Sequence, residues 1–201
     1  MSPEVVPRSF YDRDPRVVAP ELLHKVLVRG DRAARIVEVE AYLGEADPGS
    51  HAFRGETPRV RVMFGPPGHL YVYFTYGMHW CANAVCLGPG VAGAVLLRAA
   101  TPLEGLDEMF AARAAARRTR DLCSGPAKLC QAMGLDGSFD GADLVTGDRE
   151  VTVVDDGTPP PEPGVSTRTG VNAGGDHPWR WFVPGDPNVS PHRPWRPRTG
   201  Q

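Results

Sequence analysis

The chain has 201 residues, with 22 basic against 24 acidic side chains and a formal net charge of -2. That length fits one domain with a sizeable core, and the charge excludes the overall basic field of many nucleic-acid binders, leaving a local patch as the route to such a partner. No apolar run is long enough for a bilayer, Cys81, Cys86, Cys123 and Cys130 lack paired C-x-x-C spacing, and Met1-Ser2-Pro3-Glu4 carries no secretory n-region, so membrane span, zinc site and export are all read against.

The expectation is a soluble intracellular protein with buried free thiols and no cofactor. Lys25 and Lys128 are the only lysines, and 21 prolines with 23 glycines predict many turns and short elements.

Residues 1–9 read as a loose polar start. From Phe10 to Leu27, Asp14-Pro15 offers a helix cap, and the apolar spacing of Val17, Val18, Leu22 and Leu23 is interrupted at Pro20, which predicts two short helical pieces. Val26-Leu27-Val28, a turn at Gly30-Asp31 and Ala33 to Tyr42 read as a β-hairpin. Within its second strand, strict alternation sends Ile36, Glu38, Glu40 and Tyr42 to one face and Val37, Val39 and Ala41 to the other. Two carboxylates facing the protein side of a sheet are either salt-bridged or used in chemistry.

Gly44 to Pro67 reads as a long loop with several proline turns and three arginines, Arg54, Arg59 and Arg61. They form either a solvated loop or a phosphate-contacting edge. Leu70 to Thr75 and His79 to Val85 pair around a turn at Tyr76-Gly77-Met78, with Tyr71 and Tyr73 on one face. Core packing suits Phe74 and Trp80, but not Tyr76 at the tip. Ala92 to Ala100 is a buried-type strand ending on Arg98, a cation that calls for a carboxylate partner.

Thr101-Pro102-Leu103-Glu104 reads as a capping box opening a helix, followed by Arg113, Arg117, Arg118 and Arg120. A second helix runs from Ala127 to Met133 with Lys128 near its start, where a cation opposes the helix dipole and needs an acidic partner or an anionic ligand. Val151 to Val154 and Trp179 to Val183 are short strands, and residues 191–201 read as a disordered tail.

A carboxylate strand, a loop histidine, a tyrosine hairpin with an exposed tip ring and scattered arginines, with no metal motif, together suggest a flat ligand held by stacking beside an activated water. A tip ring is also the device by which proteins open a base stack, which points to an enzyme that flips a nucleotide and hydrolyses it.

The stretches Ile36 to Gly44, His51, Tyr71-Val72-Tyr73 with Tyr76-Gly77-Met78, Leu96-Leu97-Arg98-Ala99 and Leu122 to Ala132 resemble the alkyladenine (methylpurine) DNA glycosylase family, in order, over roughly residues 8 to 190. The resemblance implies an α+β fold: one mixed domain, residues 10–190, with a curved, largely antiparallel β-sheet flanked by short helices. It also implies monofunctional base-excision repair acting as a monomer on double-stranded DNA with damaged purines, in the cytoplasm at the nucleoid.

Position by position, the resemblance makes Glu40 the general base and Arg98 a water-positioning group, with the backbone of Thr169 holding the same water. Tyr42, His51 and Tyr73 match the residues that stack on the flipped base. Tyr76 matches the intercalating wedge, and Asn83 the residue that disfavours guanine. Candidate phosphate contacts are Arg54, Thr57, Arg59, Met63 and Lys128, and Glu38 is read as structural. The alternative is a non-catalytic lesion-binding DNA module, against which the presence of both Glu40 and Arg98 argues.

Overall fold

The computed structural model describes residues 3–192. Nine strands and four short α-helices alternate along the chain. They are β1 (Glu4–Val5), α1 (Arg8–Tyr11), α2 (Pro15–Leu22), β2 (Val26–Arg29), β3 (Arg32–Tyr42), β4 (Leu70–Thr75), β5 (His79–Val85), β6 (Ala94–Glu104), α3 (Leu106–Ala112), α4 (Pro126–Met133), β7 (Val151–Asp155), β8 (Gly164–Ser166) and β9 (Arg180–Phe182). All strands join one sheet in the order β1-β7-β2-β3-β6-β5-β4, with β9 added beside β3 and β8 beside β9. Every pairing is antiparallel, and the sheet curls into a half-barrel within a single α+β domain.

α2 and α4 pack on one face of this sheet. Leu22, Ile36, Val39, Leu97, Leu129 and Met133 belong to the main apolar cluster there, and burying each such side chain contributes about 1.5–3 kcal/mol. The loop between β3 and β4 has its own, smaller cluster: Val60, Met63 and Phe64 pack on Tyr71, Val85 and Ala94. That burial turns a proline-rich stretch into a fixed wall. Gly44 starts the loop with φ +56° in close approach to the Ala92 carbonyl, so any side chain there would collide with backbone.

Several expectations need correction. Residues 3–9 are held, not loose: β1 pairs with β7, Val6 is buried, and Arg8 donates to the Asp143 carboxylate at 2.6 Å. The two helical pieces exist, but they part at Asp12–Asp14, where Asp14 caps α2 through the Arg16 amide at 2.8 Å. Pro20 lies inside α2, where it has no N–H to donate to the Arg16 carbonyl one turn earlier.

The pattern Thr101 to Glu104 opens no helix. β3 extends far enough to pair Ala34 with Pro102 and Ala33 with Glu104, so β6 continues through the apparent capping box and α3 starts only after Gly105. Arg98 therefore sits in mid-strand rather than at a strand end. Phe74 is about half exposed, paired with Trp80 at 4.7 Å instead of entering the core. All four cysteines are free and buried, as expected. Of the tail read as disordered, Pro191 and His192 are described, and residues 193–201 lie outside the described residues.

Strict alternation also fails in β3. Register shifts flank Glu38, so Ile36 joins Val39 and Ala41 in the main cluster while Glu38 and Glu40 face the opposite way. A bulge lets one strand change facing along its length, and here it leaves both carboxylates on the face opposite Ile36, Val39 and Ala41.

Candidate active site

One row crosses four strands. Glu40 of β3 pairs with Leu96 of β6, Leu96 with Asn83 of β5, and Asn83 with Tyr71 of β4. Residues opposed in register share a face, and those two positions along each strand share it too. The same face therefore carries Tyr42, Arg98, Cys81 and Tyr73. Three strand spacings of about 4.8 Å separate β3 from β4, so the row is wide enough to hold a planar heterocycle between tyrosine walls.

A cavity of about 550 Å³ opens above this row, lined among others by Tyr42, His51, Tyr71, Tyr73, Asn83 and Arg98. His51 meets Tyr73 edge-on at 4.4 Å, and Tyr73 lies nearly parallel to Tyr71 at 5.5 Å. His51 Nδ1 and the Tyr71 hydroxyl are 3.2 Å apart. Burial, then the nearby Arg59, lowers the His51 pKa, which keeps the ring neutral at pH 7. Burial raises the Tyr71 phenol to about 12, and burial with the Glu40 charge pushes Tyr42 well up, so both remain hydrogen-bond donors. On the floor, Asn83 donates its amide to the Tyr71 carbonyl at 3.1 Å, which fixes its rotamer.

Glu40 is fully buried directly behind the lining. Its Oε2 accepts from the Tyr42 hydroxyl at 2.8 Å and lies 3.2 Å from Arg98 Nη1, while its Oε1 accepts from the Thr169 amide at 2.7 Å. Tyr42, Arg98 and Thr169 all line the cavity. The segment carrying Thr169 is anchored by Arg168, whose guanidinium donates to both oxygens of buried Asp47 at 2.6 and 2.8 Å, to the Ala41 carbonyl and to the Gly174 carbonyl. The guanidinium also lies over the Tyr42 ring at 4.6 Å and the Trp179 ring at 5.1 Å.

Glu38, read from the sequence as structural, is surrounded by donors. Its Oε1 accepts from Arg98 Nε at 2.7 Å, Arg180 Nε at 2.8 Å and the Ser190 hydroxyl at 2.8 Å, and its Oε2 accepts from the Ser190 amide at 2.6 Å. Burial acts to raise the Glu38 pKa, but the charges of Arg98 and Arg180 and the Ser190 amide outweigh it, and the net shift is downward. A carboxyl whose folded pKa lies below its unfolded value of about 4.3 contributes stability that is complete above that value and is lost as pH falls through the folded pKa. Thermal unfolding should therefore be steeper in pH on the acid side of about 4.3 for the wild type than for Glu38→Gln, with the two profiles running parallel above it. Parallel profiles throughout would contradict this.

Tyr76 stands clear at the hairpin tip with 81% of its surface exposed, and both it (φ 53°) and Gly77 (φ 66°) are left-handed. A bulky residue in that region is strained, and such strain clusters at functional sites. Arg54, Thr57 and Arg59 are exposed on the loop after His51. Met63 is buried in the cavity wall, and its amide donates to the Val60 carbonyl. Lys128 is exposed and reaches the Ser124 hydroxyl at 3.1 Å, with no acidic partner among the described residues.

Sequence reasoning missed Asp47, Arg180 and Ser190. Arg180, a single cation within Trp179 to Phe182, carries the signal that singled out Arg98; Asp47 and Ser190 had none beyond ordinary turn residues. Among the described residues no group of three His, Cys, Asp or Glu side chains could hold a metal ion, and no helix is long and apolar enough to cross a membrane.

The family described as methylpurine-DNA glycosylase (MPG) matches residues 9–187. The chain belongs to the methylpurine-DNA glycosylase family. A protein of Burkholderia lata named "Putative 3-methyladenine DNA glycosylase" is 56% identical over 188 residues, covering 92% of this chain and 91% of its own. Proteins with the same name from Streptomyces avermitilis and Carboxydothermus hydrogenoformans are 48% and 45% identical, over 95% and 92% of this chain and 93% and 98% of their own. Each match runs over more than nine-tenths of both chains.

Proposed function

We propose that this glycosylase flips an alkylated or deaminated purine out of duplex DNA into the tyrosine-lined cavity and hydrolyses its N-glycosidic bond with a water activated by Glu40. The product is an abasic site. The carrying observation is the coordination of Glu40. A carboxylate offers about four lone-pair positions. Tyr42 occupies one on Oε2 and Thr169 one on Oε1, and Arg98 Nη1 lies 3.2 Å from Oε2 as an ion pair, which leaves a position on Oε1 beside Thr169 open. A water entering between Arg98 and Thr169 would meet that position, with the Thr169 backbone and the Arg98 guanidinium to orient it.

The chemistry suits such a lean site. A purine alkylated at N3 or N7 is cationic and already a good leaving group, so the enzyme supplies a base, a water and a π-rich wall that attracts cations. One carboxylate suffices, unlike the acid–base pair of O-glycoside hydrolysis. Tyr42 on β3 faces His51 and Tyr73 across the floor, and Asn83 below them discriminates against guanine. Tyr76 fills the gap left in the stack, and Arg54, Thr57, Arg59 and Lys128 contact phosphates. The enzyme works as a monomer, cutting no strand itself, on the cell's nucleoid DNA.

Tyr76 gives the test of flipping. Tyr76→Ala should weaken binding to a lesion duplex by about 10- to 100-fold, the equivalent of one base–aromatic stack. Its rate on the same lesion in a single strand, where no stack must be opened, should stay within a few fold of wild type. Equal losses on both substrates would count against a wedge.

A further inference from the structure

Arg98 is shared between two carboxylates, and the sharing is unequal. Its Nε lies 2.7 Å from Glu38, its Nη2 donates to the Ser190 hydroxyl at 3.3 Å, and Nη1 alone remains for Glu40 at 3.2 Å. An arginine left with one carboxylate normally forms a two-pronged pair. Here a second prong would occupy the Oε1 position that the proposed function assigns to water. We propose that Glu38 and Ser190 are positioning residues which hold Arg98 to one corner of Glu40 and keep the other corner open. This rests on the reading of Glu40 as the base.

The arrangement is built, not incidental. Ser190 uses its amide and hydroxyl on Glu38, and its carbonyl accepts from Arg180 Nη2 at 3.2 Å. The segment leading to it is tied to β6, the strand of Arg98: the Thr101 hydroxyl donates to Asp186 at 2.9 Å, and Asn188 donates to Thr101 at 2.9 Å. Glu38, Arg98, Arg180 and Ser190 are all buried. The set Glu38, Glu40, Arg98 and Arg180 carries two charges of each sign, so it is neutral as a unit. Desolvated charges persist at low cost only in such balanced, fully bonded sets.

Glu38→Gln removes one negative charge from this buried set and loosens the hold on Arg98, so the rate falls as Arg98 closes on Glu40.

The experiment compares Glu38→Gln, Ser190→Ala and Ser190→Thr with wild type, using single-turnover release from a 3-methyladenine duplex at several DNA concentrations. Ser190→Ala leaves the backbone bond to Glu38 and the fold intact. We expect both Glu38→Gln and Ser190→Ala to lower the saturating rate by about tenfold or more, the rate equivalent of one charged hydrogen bond, with half-saturating DNA within about twofold of wild type. Ser190→Thr should restore the rate. If Glu38→Gln does not fold, the Ser190 pair decides alone. Wild-type release combined with Ser190→Ala at full rate would overturn this proposal only. No release by the wild type would overturn the proposed function, and this with it.

Discussion

Glu40→Gln is expected to lower base release from a 3-methyladenine duplex by about 10²- to 10⁴-fold, the usual contribution of a positioned general base. The amide has the size of the carboxylate and can still accept from Thr169, so the cavity should keep its shape. It cannot take a proton from water. Affinity for the lesion should stay within a few fold, since the stacking walls of Tyr42, His51, Tyr71 and Tyr73 are untouched. The check is a single-turnover rate with a parallel binding titration. A variant retaining more than about a tenth of the wild-type rate would remove Glu40 from the chemistry.

The largest stability effect is expected at the other buried pair. Arg168 and Asp47 are both without solvent exposure and joined by two bonds of 2.6 and 2.8 Å. Removing one partner strands the other charge, which costs about 3–5 kcal/mol. For a chain of this size that corresponds to a fall in Tm of order 10 °C. Asp47→Ala should show it in thermal unfolding. The pair Arg118–Asp121 at the surface provides the contrast: Asp121→Ala should leave Tm close to the wild-type value, because solvent already screens it. Similar Tm values for the two variants would mean that Arg168 finds another anion. The damage at Asp47 should also reach activity, since Arg168 braces Tyr42 and precedes the Thr169 amide that binds Glu40.

The strands were legible in the sequence wherever one face is polar. The β2–β3 hairpin turns at Gly30-Asp31 as the residues require, and β4–β5 turns at Tyr76-Gly77-Met78 with the tip ring exposed. Alternation could not reveal the bulge beside Glu38, because a register shift is decided by the partner strand. The same partner kept Thr101 to Glu104 extended: local capping chemistry there lost to pairing with Ala33 and Ala34. Of the candidate site, Glu40, Tyr42, Asn83 and Arg98 come onto one face because each lies in a strand and the register brings them together. Ser190 was out of reach. It meets Glu38 across 152 positions of chain through backbone and hydroxyl groups, and nothing in its neighbours' chemistry marks that contact.

The most direct measurement is the product made from a labelled duplex carrying one 3-methyladenine. Free base should accumulate with the wild type, and the strand should break at that position only after added alkali, as a water-activated glycosylase requires. Strand breaks without alkali would contradict the account and implicate an amine nucleophile, Lys128 being the candidate. Tight binding with no base released would contradict it more deeply, and would make the chain a lesion-binding module.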